Sequence, residues 1–104
     1  MDKVYLNQVM EYDIDTRGKD QTQGIDLTDA QEIKVFYRKP DKARTEGNIT
    51  GTMSEDSVYI VNVTFDFEVF DTLGEWQIWT EIIDVNGDWR PGEPFIETIH
   101  KVGT

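Results

Sequence analysis

Residues 75–84 read Glu-Trp-Gln-Ile-Trp-Thr-Glu-Ile-Ile-Asp, and bulky side chains recur there with a period of two. In an extended segment Trp76, Ile78, Thr80 and Ile82 share one face, while Gln77, Trp79, Glu81 and Ile83 share the other. Residues 32–38 repeat the pattern, with Ile33, Val35 and Tyr37 opposite Lys34, Phe36 and Arg38. Two such strands commit the chain to sheets. Indoles on both faces of the longer one mean that one face packs a core and the other meets something else.

The remaining segments predict shorter strands and turns. Val4 and Leu6 read as an early edge segment, and residues 11–16 alternate acids with Tyr12 and Ile14, the pattern of a strand with a solvated acidic face. Residues 17–24 carry no large apolar side chain and predict an exposed loop, followed by a tight turn over residues 25–30 pinned by Ile25 and Leu27. Pro40 and Asp41 stop the strand before them. A polar edge strand is expected over 48–53, and another strand over 57–64 with Val58, Ile60 and Asn62 on one side and Tyr59, Val61 and Val63 on the other. Residues 65–70 alternate too, and read either as a further strand or as a loop or helical turn that tucks Phe67 and Leu73 inward. Asn86-Gly87 predicts a type I′ hairpin, and Pro91-Gly92-Glu93-Pro94 a bulge or bend before a last strand over 95–102.

Turn signals about every ten residues, and no amphipathic segment of helical length, predict an all-β fold: an immunoglobulin-like β-sandwich of about seven antiparallel strands. Trp76 would fill the space between its sheets. The 104 residues fit one domain, 1–104, of a size that buries roughly two-thirds of the surface its unfolded chain exposes. With no cysteine, neither a disulfide framework nor a thiolate zinc site is available.

Charge and residue inventory narrow the function. A net charge of -11 repels phosphate backbones and anionic lipid, so neither nucleic acid nor membrane is expected as a partner. No apolar run is long enough to span a bilayer and the amino end lacks a signal-peptide core, which predicts a soluble chain. His100 is the only histidine, and no serine sits in a nucleophile elbow, so no catalytic residue is expected. Asp84, Asn86 and Asp88 place oxygens at alternate positions, as hard cations require, but an EF-hand's distal glutamate is missing and the hairpin already explains Asn86-Gly87. Neither a metal nor another cofactor is expected. The carboxylate pairs Asp13 with Asp15 and Glu55 with Asp56 read as solvated surface, and the sequons at Asn48 and Asn62 matter only in a secretory setting.

The aromatic residues remain. With Trp76 inward, Trp79 faces outward beside Ile83, Phe36 lies on the outward parity of its own strand, and Trp89 follows the hairpin. Phe36, Trp79, Ile83 and Trp89 are the expected partner interface. The alternative is a carbohydrate-binding or adhesion module with Trp79 and Trp89 as its stacking platform.

The order of motifs resembles small immunoglobulin-like domains of tailed-bacteriophage virions, including the amino-terminal domains of baseplate upper proteins. The resemblance rests on Ile25-Asp26-Leu27-Thr28-Asp29-Ala30, Ile33-Lys34-Val35-Phe36-Tyr37-Arg38-Lys39-Pro40-Asp41, Leu73-Gly74-Glu75-Trp76-Gln77-Ile78-Trp79 and Gly87-Asp88-Trp89, and spans about residues 10–102. Those domains carry similar "Asp-Leu-Thr-Gly-Ala", "Lys-Pro-Asp-Gly", "Gly-Thr-Trp" and "Gly-Trp" series; here Asp29 stands where they have the glycine before alanine, and Lys42 where they have the turn glycine. The resemblance implies a non-enzymatic virion protein, assembled in the host bacterial cytoplasm at a neck or collar, baseplate or capsid surface. Its partners would be other virion proteins and copies of itself in a symmetric arrangement. A chain ending at Thr104 without downstream domains implies a stand-alone subunit, and the loop at 17–24 would order on assembly.

Overall fold

The computed structural model describes residues 3–17 and 24–103; positions 18–23 of the expected loop lie outside the described residues. Its two ends are half-buried: Arg17 pairs with Asp15 at 2.8 Å and lies 5.3 Å over the Tyr59 ring, and Gly24 sits against that same ring.

Among the described residues there are nine strands: β1 (Val4–Tyr5), β2 (Met10–Asp15), β3 (Glu32–Arg38), β4 (Glu46–Thr50), β5 (Thr52–Met53), β6 (Ile60–Phe65), β7 (Gly74–Ile83), β8 (Trp89–Pro91) and β9 (Phe95–His100). They form two sheets. The larger has the order β1-β9-β7-β3-β4, with β8 also on β7; the smaller has the order β2-β6-β5. The all-β expectation and the two-sheet sandwich hold. One part of the strand pairing differs from the antiparallel expectation, because β1 runs parallel to β9, with Val4 beside Ile99 and Tyr5 beside His100.

The core lies between the sheets. The larger sheet contributes Val35, Trp76, Ile78, Ile82 and Ile99, and the smaller contributes Val61, Val63 and Phe65. Trp76 is fully buried, its indole N–H donates to the Thr72 carbonyl at 2.8 Å, and its ring meets Phe70 edge-on at 5.1 Å. That satisfies the one polar atom a buried indole brings. Tyr12 of β2 donates to the Glu97 carboxylate of β9, a polar link between the sheets. Burial pushes its phenol pKa up, and the Glu97 contact pushes it further.

The expected edge strand over 48–53 divides at Gly51. Residues 46–50 pair with β3 and residues 52–53 with β6, so the chain changes sheets there. A Cβ at Gly51 would lie 2.7 Å from Val61 Cγ1, which leaves room only for glycine at the crossing. The strand expected over 57–64 begins at Ile60, with Val61 and Val63 inward and Val58 exposed. Residues 67–69 form a turn, and the inward side chains are Phe65 and Phe70; Phe67 and Leu73, expected inside, are 55% and 46% exposed. The last strand ends at His100, short of Val102.

The bend at Pro91-Gly92-Glu93-Pro94 is a β-bulge. Ile78 pairs with Phe95 and Glu81 with Pro91, so Trp79 and Thr80 face the three residues Gly92, Glu93 and Pro94. The added residue inverts the parity of β8 relative to β9. Were the same residues paired evenly, Arg90 would share the outer face with Ile96; with the bulge, Trp89 does.

Candidate functional site

The outer face of the larger sheet gathers the four side chains expected at an interface. Phe36 on β3 lies directly opposite Trp79 on β7, and Ile83 on β7 lies directly opposite Trp89 on β8. The Phe36 and Trp79 rings stack with centroids 5.8 Å apart and planes 14° apart. Such an aromatic pair contributes about 0.5 to 1.5 kcal/mol beyond its area. Phe36, Trp79 and Ile83 are half-buried, whereas Trp89 is 60% exposed.

Glu81 lies between the two opposed pairs on the same face of β7. Its carboxylate accepts the Trp79 indole N–H at 2.8 Å on one oxygen and the Trp89 indole N–H at 2.9 Å on the other. One side chain therefore fixes the orientation of both indoles. The Arg38 guanidinium lies 5.6 Å over the Trp79 ring and is itself held by Glu46 at 2.8 and 2.6 Å and by Gln77 at 3.3 Å. Cation–π contacts at such exposed sites contribute roughly 0.5 to 1 kcal/mol. Glu81 and Arg38 escaped the expected interface although each shares strand parity with its tryptophan or phenylalanine, which was the available signal.

The hairpin that delivers Trp89 is built on Asp84. Its carboxylate accepts the backbone N–H groups of Asn86 and Asp88, each at 2.9 Å, and faces the Arg90 guanidinium at 3.4 Å. Hydrogen bonding from the Asp88 and Asn86 backbone, with help from Arg90, holds the Asp84 carboxyl below the usual aspartate range despite its burial. Gly87 N–H bonds the Asp84 carbonyl at 3.0 Å, and Gly87 has φ of +85°. Asn86 does not take the left-handed conformation, so the turn is a type I turn closed by a left-handed glycine in place of the expected type I′. The oxygens that might have held a cation are those that brace this turn. Among the described residues no three His, Asp or Glu side chains are grouped to bind a metal ion.

The other candidates stand apart from this face. His100 packs its ring 6.3 Å from Tyr5 at the β1 edge. Asp13 accepts the Asn62 side-chain amide at 2.9 Å on the outer face of the smaller sheet. Asp15 is paired with Arg17, whose hydrogen bonds hold its carboxyl below the usual range. The aromatic face is thus an apolar ledge whose two indoles are held by Glu81 and, at Trp79, by Arg38.

No protein-family model, curated protein or solved structure matches this chain.

Proposed function

We propose that this protein is a non-enzymatic structural subunit of a tailed-bacteriophage particle, an immunoglobulin-like domain present in multiple copies and contacting its neighbours through the aromatic face. The observation that carries the reading is the pairing of Phe36 with Trp79 and of Ile83 with Trp89, fastened through Glu81, on a face that no strand among the described residues covers. Side chains already held in place lose little freedom on docking, which favours an interface.

The strand order supports the immunoglobulin-like assignment. β2, β6 and β5 correspond to strands B, E and D of such a sandwich, and β3, β7 and β8–β9 to C, F and G, with β4 as the added C′ strand. The departures from the virion-domain motifs are informative as well. Asp29, standing for a glycine, has φ of +58°, the backbone state that glycine favours, so the substitution keeps the turn. After Pro40-Asp41 the left-handed residue is Arg44, with φ of +53°, which gives this hairpin a different turn from one closed by glycine at position 42.

Sugar stacking needs an open ring face. Trp79 offers little, since Phe36 stacks beside it and Arg38 lies over it. That favours a protein contact over the adhesion reading. The deciding experiment combines Trp79→Ala with Trp89→Ala and measures the amount of the chain in purified phage particles by immunoblot and electron microscopy. Incorporation should fall while the isolated domain stays folded. Normal incorporation, or tryptophan fluorescence that responds to a glycan panel, would sink the proposal.

A further inference from the structure

Each sheet ends in a strand whose far edge pairs with no other strand among the described residues: β4 in the larger sheet and β2 in the smaller. At the two ends of β4 the Lys39 N–H bonds the Thr45 carbonyl at 2.8 Å and the Gly51 N–H bonds the Ile33 carbonyl at 2.9 Å. Bonded residues alternate along an antiparallel ladder, so Gly47 and Ile49 bond Tyr37 and Val35, while the N–H and C=O groups of Glu46, Asn48 and Thr50 point away from β3. All three of those residues are exposed. On β2 the Thr16 N–H bonds the Tyr59 carbonyl at 2.9 Å, and the same alternation leaves Glu11, Asp13 and Asp15 with their backbone groups at the edge.

A free edge is a template for another strand, and chains deter such pairing with charge, proline or shortness. Charge deters it at β2. A two-fold pairing centred on Asp13 sets that residue against its own copy and Glu11 against Asp15, like charges directly opposed. β1 and β5 have two residues each, and β8 has three and ends on Pro91. β4 carries none of these devices. A two-fold centred on Asn48 sets Glu46 opposite Thr50 of the partner subunit and Asn48 opposite Asn48 of the partner subunit, and every outward N–H and C=O of the three residues gains a partner. No like charges meet there. Glu46, held within its own chain by Arg38 at 2.6 Å, faces Thr50 of the partner subunit and, one strand further, Lys34 of the partner subunit.

We infer that β4 is the edge through which two copies of this chain join into one continuous antiparallel sheet, residue 48 against residue 48. The two-fold axis stands perpendicular to the sheet, so the outer faces of both subunits point the same way. Across that face the row runs Trp79, Phe36, Asn48 and then the same residues in reverse order, which sets the two aromatic ledges on one surface. The pairing is independent of what that surface meets. With so short an edge in contact the dimer is weak, with a Kd on the order of 0.1 mM.

The chain has no cysteine, so single substitutions report the register. In a bonded antiparallel pair the Cα atoms lie about 5.5 Å apart, within disulfide reach. Asn48→Cys should therefore give a disulfide-linked dimer under mild oxidation at about 0.1 mM protein, roughly tenfold faster than Glu46→Cys, whose two copies lie more than about 12 Å apart. Sedimentation of the full chain should show dimer rising with concentration up to about 1 mM, and Asn48→Pro should weaken it roughly tenfold, because proline removes an N–H that β3 does not use. A nitrogen-15 spectrum that keeps the β3 and β7 signals checks that this variant folds. Asn48→Lys, which sets like charges across the axis, should give the same loss without proline's constraint on the backbone. Equal cross-linking at positions 46 and 48, association untouched by the Asn48 variants, or a chain that stays monomeric to about 1 mM overturns the inference. Each of those outcomes leaves the particle-incorporation test of the aromatic face unaffected.

Discussion

The outward side chains of β2 and β6 include Glu11, Asp13, Asn62 and Thr64, whereas those of β3 and β7 include Phe36, Trp79 and Ile83. Both sheets bury their inner faces in the same core, so the smaller one shows what solvent alone asks of an outer face: short polar side chains and carboxylates. The larger departs from that pattern without any gain in core packing. It retains exposed apolar surface, at about 25 cal/mol for each Å² left in water, and adds an acid that orders two indoles. That contrast is what supports the proposed assembly role of the outer aromatic face.

The strongest challenge to that contrast comes from within one strand. Trp76→Ala should cost roughly 3 to 5 kcal/mol in chemical denaturation, as befits a fully buried aromatic ring. A loss comparable to that of an outward residue would erase the distinction between the faces of β7. Next is the bulge. Deleting Glu93 leaves Trp79 and Thr80 facing two residues, keeps Ile83 opposite Trp89, and should cost roughly 1 to 3 kcal/mol by removing the bend. In a nitrogen-15 spectrum the Trp89 indole N–H should keep the shift imposed by Glu81; a lost shift would show that the bend, and not cross-strand register, brings Trp89 to Glu81.

Trp79→Ala is expected to fall lower, at about 1 to 2 kcal/mol, since it removes one stacked pair and a cation–π contact but opens no core cavity. Thermal unfolding alongside Trp76→Ala checks the order. The smallest effect is acid loosening of the hairpin. Asp84 has a folded pKa below its unfolded value, so its stabilising contribution is complete above the ordinary aspartate pKa, about 3.9, and is lost as pH falls through the depressed value. The 84–88 turn should therefore loosen below about pH 4, seen as faster amide exchange at Asn86 and Asp88; Asp84→Asn should show that exchange at neutral pH.

Much of the core was legible because alternation in β3 and β7 runs uninterrupted between clear stops, so one parity choice orders Val35, Trp76, Ile78 and Ile82 together. Phase is lost wherever a turn interrupts alternation. Phe65, Phe67 and Phe70 read as one series only until residues 67–69 turn, after which Phe70 takes the inward place that Phe67 seemed to claim. Gly51 carries no side chain to mark the change of sheet, which is set by packing against Val61. The aromatic face was half legible. Parity placed Phe36 and Trp79 outward, but their direct opposition, and that of Ile83 with Trp89, depends on cross-strand register. The Glu81 bridge depends on register twice over, because the bulge must first bring Trp89 to its side.

The parallel pairing of β1 with β9 gives the sandwich a mechanical polarity. A pull on the chain ahead of Val4, opposed by one beyond His100, drives those two strands past each other along their length. The Val4–Ile99 and Tyr5–His100 pairings and the bond from Leu6 N–H to the His100 carbonyl are then loaded together in shear rather than parted one at a time. Such a load must break the whole patch before it reaches the core, so the rate of that first rupture governs how long the domain survives under tension.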